Sequence, residues 1–173
     1  MSTHLRQYQK DIVNKALNEG CYGIFADTGT GKSNMGLEIA KHLGKTIVLC
    51  PLSVIETAWI DDCKTFFPQM KVINVWGNSR QARLSNLNTD ADVYVMNYES
   101  FKILRNEIRN ANFKCLIVDE SSVMKNMTSQ ITSVILESIE YIPHRFVLSG
   151  CPTPNANSEI FPQMKLVDAD VFG

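Results

Sequence analysis

At 173 residues and 45% hydrophobic composition, the chain can bury one substantial core and is too short for two ordinary domains, so a single domain over 1–173 is expected. Its 17 basic and 18 acidic side chains leave a net charge of −1, which excludes a general basic field for nucleic acid and confines any such contact to local loops. No apolar run approaches the roughly 20 residues of a membrane span, and the first residues carry neither the basic flank nor the apolar segment of a secretory signal, so a soluble intracellular protein is expected.

In chain order, Leu5-Arg6-Gln7-Tyr8-Gln9 opens a helical pattern. A glutamine amide offers a donor and an acceptor together, matching the N6/N7 edge of adenine, so Gln9 is a candidate for selecting ATP over GTP. A surface glutamine beside a core tyrosine is the alternative. The apolar run 21–26 reads as a buried strand and leads into Ala26-Asp27-Thr28-Gly29-Thr30-Gly31-Lys32-Ser33. In such a loop the glycines let successive N–H groups of 28–33 curl toward phosphates. Lys32 reaches the β/γ oxygens and the Ser33 hydroxyl ligates Mg²⁺. A glycine-rich turn before a helix is the plainer reading of the same residues. The usual loop has glycine at its first position, where this chain has Ala26.

A second strand-like run, 46–50, ends at Pro51, after which Ser53-Val54-Ile55-Glu56 reads as a capping box opening a helix. The free N–H groups of that helix start could also dock a nucleic-acid phosphate at Ser53. Trp59, Phe66, Phe67 and Trp76 read as core aromatics in preference to base-stacking platforms. Further strand-like runs follow at 71–76, 93–96, 115–118 and 145–148, with helical patterns between most of them. That alternation predicts parallel βαβ units, and continuously apolar strands predict a sheet covered by helices on both faces. The loops at the strands' carboxyl ends then share one edge: the phosphate loop, Pro51-Leu52-Ser53, Asn97-Tyr98-Glu99, Asp119-Glu120 and Ser149-Gly150-Cys151-Pro152. Cys21, Cys50, Cys63, Cys115 and Cys151 form no C-x-x-C pair and read as reduced core residues.

Asp119-Glu120 stands where nucleotide-hydrolysing folds place a second acidic element. Asp119 would hold Mg²⁺ through water, and Glu120 would orient or deprotonate the attacking water. Alone, an Asp-Glu pair after a strand is also a common helix N-terminal charge pair; the phosphate loop upstream favours the catalytic reading.

In this order the runs resemble the first RecA-like lobe of superfamily-two helicases, and within it the Swi/Snf-type DNA translocases. Leu5 to Gln9 is similar to that family's Q motif, and Asp27 to Ser33 to its motif I, where helicase-like ATPases tolerate alanine at the first loop position. Cys50-Pro51-Leu52-Ser53 with Trp59 and Phe66 resembles motif Ia and the helix after it. Asn97-Tyr98-Glu99 resembles the Thr-Tyr-Glu element that touches DNA, with Asn97 in place of the threonine. Asp119 to Asn126 resembles the Asp-Glu-Ala-His box with its trailing Lys-Asn, here Lys125-Asn126. Ser122 replaces the box histidine, which in the family relays the nucleotide state to motif III. Ser149-Gly150-Cys151-Pro152 followed by Asn155 is similar to motif III, with Cys151 for the usual threonine, and Phe172-Gly173 resembles a Phe-Gly near the end of this lobe.

The resemblance implies a RecA-like P-loop α/β domain, a parallel sheet in a three-layer αβα arrangement, using ATP and Mg²⁺. It implies catalytic Lys32, Asp119 and Glu120, coupling at Ser122, Ser149 and Gly150, and DNA-backbone contact at Ser53, Asn97, Tyr98, Lys125 and Asn126, with duplex favoured over single strands. It also implies a second RecA-like lobe, in the same longer protein or in a separate polypeptide, that donates arginine fingers worth ~10³–10⁵ in rate. No residue of this chain fits that role, and Arg145 reads as solvent-facing or structural, so weak ATP binding with slow or silent turnover is expected of the lobe alone. Two other readings stay open: a non-catalytic ATP- or DNA-binding regulatory module, and a small-molecule kinase, which would need an Arg-bearing lid that does not stand out here.

Overall fold

The computed structural model describes residues 2–124, 127, 129–153 and 157–168. Six strands, β1 (Cys21–Phe25), β2 (Thr46–Leu49), β3 (Val72–Asn74), β4 (Val93–Met96), β5 (Cys115–Asp119) and β6 (His144–Ser149), form one sheet in the order β1-β6-β5-β2-β4-β3. Every neighbouring pair is parallel. Each strand coincides with one of the apolar runs; β3 is the most trimmed, because it lies at the sheet's edge and Trp76 beyond it is 39% exposed.

Side chains alternate across the sheet with the period-two geometry of a strand. Val48, Cys50, Val93, Val95, Cys115, Ile117, Phe146 and Leu148 face one layer, built from α1 (Gln7–Glu19), α2 (Lys32–Leu43) and a long helix in three parts. That helix runs from α3 (Leu52–Val54) through a π-helical turn, Ile55–Ile60, into α4 (Asp61–Phe66). Ile47, Leu49, Tyr94, Met96, Leu116, Val118 and Val147 face the other layer, which comprises α5 (Arg80–Leu87), α6 (Tyr98–Ile103), α7 (Arg105–Asn110), α8 (Gln130–Glu137) and α9 (Phe161–Val167). Two cores of comparable extent therefore sandwich the sheet, the three-layer arrangement the apolar strands predict.

The helices start and stop where local chemistry dictates. Ser79, Asn97 and Ser129 cap α5, α6 and α8 by accepting from the N–H groups of Ala82, Ser100 and Thr132. The expected capping box at Ser53 does not form. Pro51 (φ −58°, ψ 147°) takes the extended N-cap position, so Ser53 falls inside the first turn with no capping bond, and Glu56 accepts instead from Asn74 Nδ2 at 2.8 Å. Trp59 and Phe67 are fully buried, as their reading as core residues requires, whereas Phe66 (40% exposed) and Trp76 are not. Cys50, Cys63 and Cys115 are buried free thiols, Cys21 is half-buried and Cys151 is exposed. Arg145 lies within β6 and is structural: its guanidinium donates to the carbonyls of Leu166 (2.7 Å) and Ile142 (2.8 Å), tying α9 to the sheet. No described helix is long and apolar enough to cross a membrane.

Candidate functional site

Strand order decides what meets at the carboxyl edge. Because β6 lies between β1 and β5, the turn after β6 follows the strand between those that lead to the phosphate loop and to the acidic corner, and it touches the loop. Ala26 N–H donates to the Ser149 carbonyl at 3.1 Å, and a Cβ on Gly150 would stand 3.6 Å from Thr28 Cγ2 and 3.8 Å from Lys32 Nζ. Ser149 Oγ accepts from Cys151 N–H at 3.2 Å.

The phosphate loop takes the conformation its glycines permit. Gly29 and Gly31 have φ of +79° and +78°, in the left-handed region that favours glycine. Thr30 Oγ1 donates to the Asp27 carbonyl at 2.7 Å, closing the loop. Lys32, the first residue of α2, is buried, and its ammonium donates to the carbonyls of Ala26 (2.7 Å) and Asp27 (2.9 Å). Ser33 follows it, half-buried, in the wall of a cleft beside the loop.

Gln9 supports this loop from behind. Its amide oxygen accepts from Arg6 N–H at 2.8 Å and its nitrogen donates to the Thr30 carbonyl at 2.9 Å, a carbonyl that the Tyr8 hydroxyl also reaches at 3.0 Å. A Cβ at Gly31 would come within 2.4 Å of Gln9 Nε2, so glycine there serves close approach as well as φ. Beside the loop lies a recess of about 190 Å³ lined by His4, Arg6, Tyr8, Gln9, Asn34 and Phe66. His4 stacks on Phe66 (centroids 4.9 Å) and meets Phe67 edge-on (4.8 Å). His4 Nε2 and Asn34 Oδ1 are buried without a hydrogen-bond partner among the described residues. Buried polar atoms are almost always paired, so two orphans lining one recess mark a place where a ligand with polar edges fits. Neither residue was legible as a site residue; both are ordinary until the fold brings them to the loop.

At the end of β5, Asp119 is 8% exposed. Its Oδ2 accepts from the Trp59 indole N–H at 2.9 Å and its Oδ1 from Glu120 N–H at 3.0 Å. Burial, the largest influence, raises its pKa; these two N–H bonds and the Lys32 charge oppose that, and the Glu120 charge adds to it. Burial, with the Asp119 charge adding to it, likewise pushes the Cys50 thiol far up. Glu120 turns the chain out of the sheet at φ +53°, a conformation uncommon for a residue with a side chain. The Tyr98 hydroxyl donates to the Asp119 carbonyl, so that hydroxyl braces the acidic corner. Asn97, whose Oδ1 accepts from Ser100 N–H at 3.1 Å, caps α6. Thr28, Gly29, Lys32, Ser33, Asp119 and Glu120 line one cleft of about 310 Å³. A cradle of N–H groups, a buried ammonium, a hydroxyl and two carboxylates is the donor set a Mg²⁺-bound triphosphate needs, and the residues fit it.

The remaining sites divide. Ser53 is exposed on the first turn of α3. Ser122 is half-buried in the 3-10 turn Ser121–Met124. The bond out of that turn comes from its neighbour: Ser121 Oγ donates to Gln163 Oε1 at 2.7 Å, and Gln163 Nε2 donates to the carbonyls of Pro152 (2.7 Å) and Glu159 (3.0 Å). A glutamine among the apolar residues of α9 was the available signal for this link. Lys125, Asn126, Asn155 and Phe172-Gly173 lie outside the described residues.

Residues 3–173 match the SNF2-related domain. The chain belongs to this family. It is 31% identical over 169 residues to a Caenorhabditis elegans homolog of SWI/SNF-related matrix-associated actin-dependent regulator of chromatin subfamily A-like protein 1. It is 24% identical over 190 residues to the chromatin-remodeling ATPase INO80 of Saccharomyces cerevisiae. These alignments cover 95% and 97% of the chain but only 24% and 13% of the relatives, so the chain spans about a quarter or less of their length. Among solved structures, the SWI2/SNF2 ATPase core of Sulfolobus solfataricus, determined in complex with dsDNA, superposes with a TM-score of 0.82 at 20% identity, covering 98% of this chain and 37% of that one. The fold is therefore the RecA-like α/β fold of an SNF2 ATPase core, the one the motif order implies.

Proposed function

We propose that this SNF2-related domain is the ATP·Mg²⁺-binding lobe of a DNA-dependent motor ATPase that tracks along duplex DNA when paired with a second RecA-like lobe. The observation that carries the reading is the single cleft shared by the phosphate loop and the Asp119–Glu120 corner.

Lys32 exchanges the carbonyls of Ala26 and Asp27 for phosphate oxygens, which needs only rotation of a side chain already at the loop's centre. Ser33 and Asp119 are the residues that would hold Mg²⁺. When bound, the ion would supply charge neutralisation to the phosphate oxygens. Glu120, one residue beyond Asp119, orients water and takes its proton on a carboxylate oxygen. The recess at His4 and Asn34 accepts the base: Asn34 Oδ1 is an acceptor suited to the adenine amino group, and Gln9 acts by keeping the loop in shape. Gly150 and Ser149, in contact with the loop, carry the state of the cleft toward the face that meets the second lobe. Duplex DNA is the preferred track because the structural neighbour was solved on dsDNA; Ser53, exposed next to Val54 of the cleft wall, is a residue for backbone contact, and Lys125 and Asn126 join it in this role. Arginine fingers come from the second lobe, so turnover by this chain alone is slow.

Steady-state ATP hydrolysis and ATP binding, with and without duplex DNA and with a second SNF2 lobe supplied in trans, test the reading. Lys32→Ala should abolish binding, and Glu120→Gln should keep binding while removing turnover. Nucleotide binding that never becomes turnover in the two-lobe assembly would point to a regulatory module. Equal loss of binding in both variants would contradict the assigned roles.

A further inference from the structure

Trp59 is fully buried, and its indole N–H donates at 2.9 Å to Oδ2 of Asp119, 60 residues away in sequence. A buried tryptophan requires an acceptor for that N–H; here the acceptor is the carboxylate proposed above to hold Mg²⁺. Two unusual features of the chain bring it there. Gly36 interrupts the interior of α2, where glycine is a poor helix former, and a Cβ at that position would stand 2.8 Å from Trp59 Cη2 and 3.3 Å from Cζ3. Only a glycine lets the ring lie across the helix. The turn that carries Trp59, Ile55–Ile60, is π-helical in a helix otherwise α-helical on both sides. Such turns are rare, and they gather at functional sites because the wider turn re-aims one side chain.

The carboxylate is consequently held from two directions. Oδ2 takes the Trp59 N–H and Oδ1 takes the Glu120 N–H, which fixes its rotation and leaves further lone pairs on both oxygens for the cleft. We propose that Trp59 is a positioning residue for Asp119, setting the carboxylate orientation that receives the Mg²⁺ of bound ATP. This rests on the reading of the cleft as a Mg²⁺-nucleotide site. Outer-shell partners of metal-binding carboxylates influence metal affinity strongly, typically by about 10–100-fold.

Trp59→Phe keeps the ring and removes the N–H. ATP affinity is measured by calorimetry in EDTA and across a Mg²⁺ titration, for wild type and variant. The variant should bind ATP in EDTA within about twofold of wild type, while the Mg²⁺ concentration for half-maximal enhancement rises about tenfold or more. An unchanged Mg²⁺ requirement, or an equal loss with and without metal, would overturn the inference. If Trp59→Phe does not fold, Trp76→Phe leaves Trp59 as the single tryptophan of two. Its emission should then change on adding Mg²⁺·ATP and stay unchanged on adding ATP in EDTA, and no metal-dependent change would be the contrary result. A wild-type chain that binds ATP in neither condition would overturn the reading of the cleft itself, and this inference with it.

Discussion

Replacing Gln163 by Leu tests whether the link between the acidic turn and the loop after β6 is as tight as its geometry implies. Gln163 is fully buried and takes part in three hydrogen bonds: from Ser121 Oγ at 2.7 Å, and to the carbonyls of Pro152 at 2.7 Å and Glu159 at 3.0 Å. Leucine matches the volume and makes none of them. A buried group left unpaired costs about 1–3 kcal/mol, and each ordinary bond contributes a net of about 0.5–1.5 kcal/mol. With the hydroxyl of Ser121 stranded and two carbonyls losing a donor, less about 1 kcal/mol returned by the more apolar side chain, the mid-range expected loss is about 3 kcal/mol. For a domain of this size that lowers Tm by roughly 5–10 °C. Ser121→Ala alone should cost about 1–2 kcal/mol, and the double variant about 1 kcal/mol less than the sum, because the shared bond can be lost only once. Urea denaturation followed by circular dichroism measures all three. A Gln163→Leu variant within about 0.5 kcal/mol of wild type, or strict additivity in the double variant, would refute the argument.

Three further outcomes follow from contacts elsewhere in the domain. Gln9→Ala removes the amide that holds Arg6 N–H and the Thr30 carbonyl, so it should weaken ATP and GTP binding together by several-fold, whereas Asn34→Ala should narrow the preference for ATP; competition binding separates the two, and a loss confined to ATP in Gln9→Ala would put that amide on the base. Burial pushes the Cys63 thiol from 9.0 to about 11, so the folded state keeps its proton where the unfolded state has released it. Stability should hold below pH 9 and fall as pH rises from 9 toward 11. At pH 8, a thiol reagent should modify the exposed Cys151 fast, with Cys50, Cys63 and Cys115 protected until urea unfolds the chain; labelling of the buried three at the rate of Cys151 would contradict the packing.

The six strands and the phosphate loop were legible because their information is local. A strand covered on both faces must be continuously apolar, and a phosphate cradle must carry its glycines, lysine and serine in consecutive positions. The acidic pair could be read as part of the site only through its company, since Asp119-Glu120 by itself reads more readily as a helix N-terminal charge pair. What escaped is what the fold assembles from distant segments. His4 and Asn34 reach one recess only after α1 and α2 pack, and the Trp59 bond to Asp119 needs a π-turn that no residue type announces. Trp59 was rightly placed in the core, but the polar end of its ring was left unassigned. Ser53 was misread as a cap because the proline two residues earlier takes that place, and Phe66 was misread as core because the adjacent Phe67 takes the inward position.

The position of β6 also bears on how the protein is made. Among the described residues β1 is an edge strand paired with β6 alone, from Cys21 with Arg145 to Phe25 with Ser149, and the contact between His144 Nδ1 and the Gly20 carbonyl joins residues 124 apart in sequence. During synthesis, then, the strand that carries the phosphate loop waits without a partner until nearly the whole domain has emerged from the ribosome. Closing so long a loop is entropically slow, and a chain truncated before His144 should lack a formed cradle. On the proposed reading of the cleft, nucleotide binding would thereby be reserved for a chain in which β6 has joined β1, and ATP, by binding only that state, would favour completed molecules over partial ones.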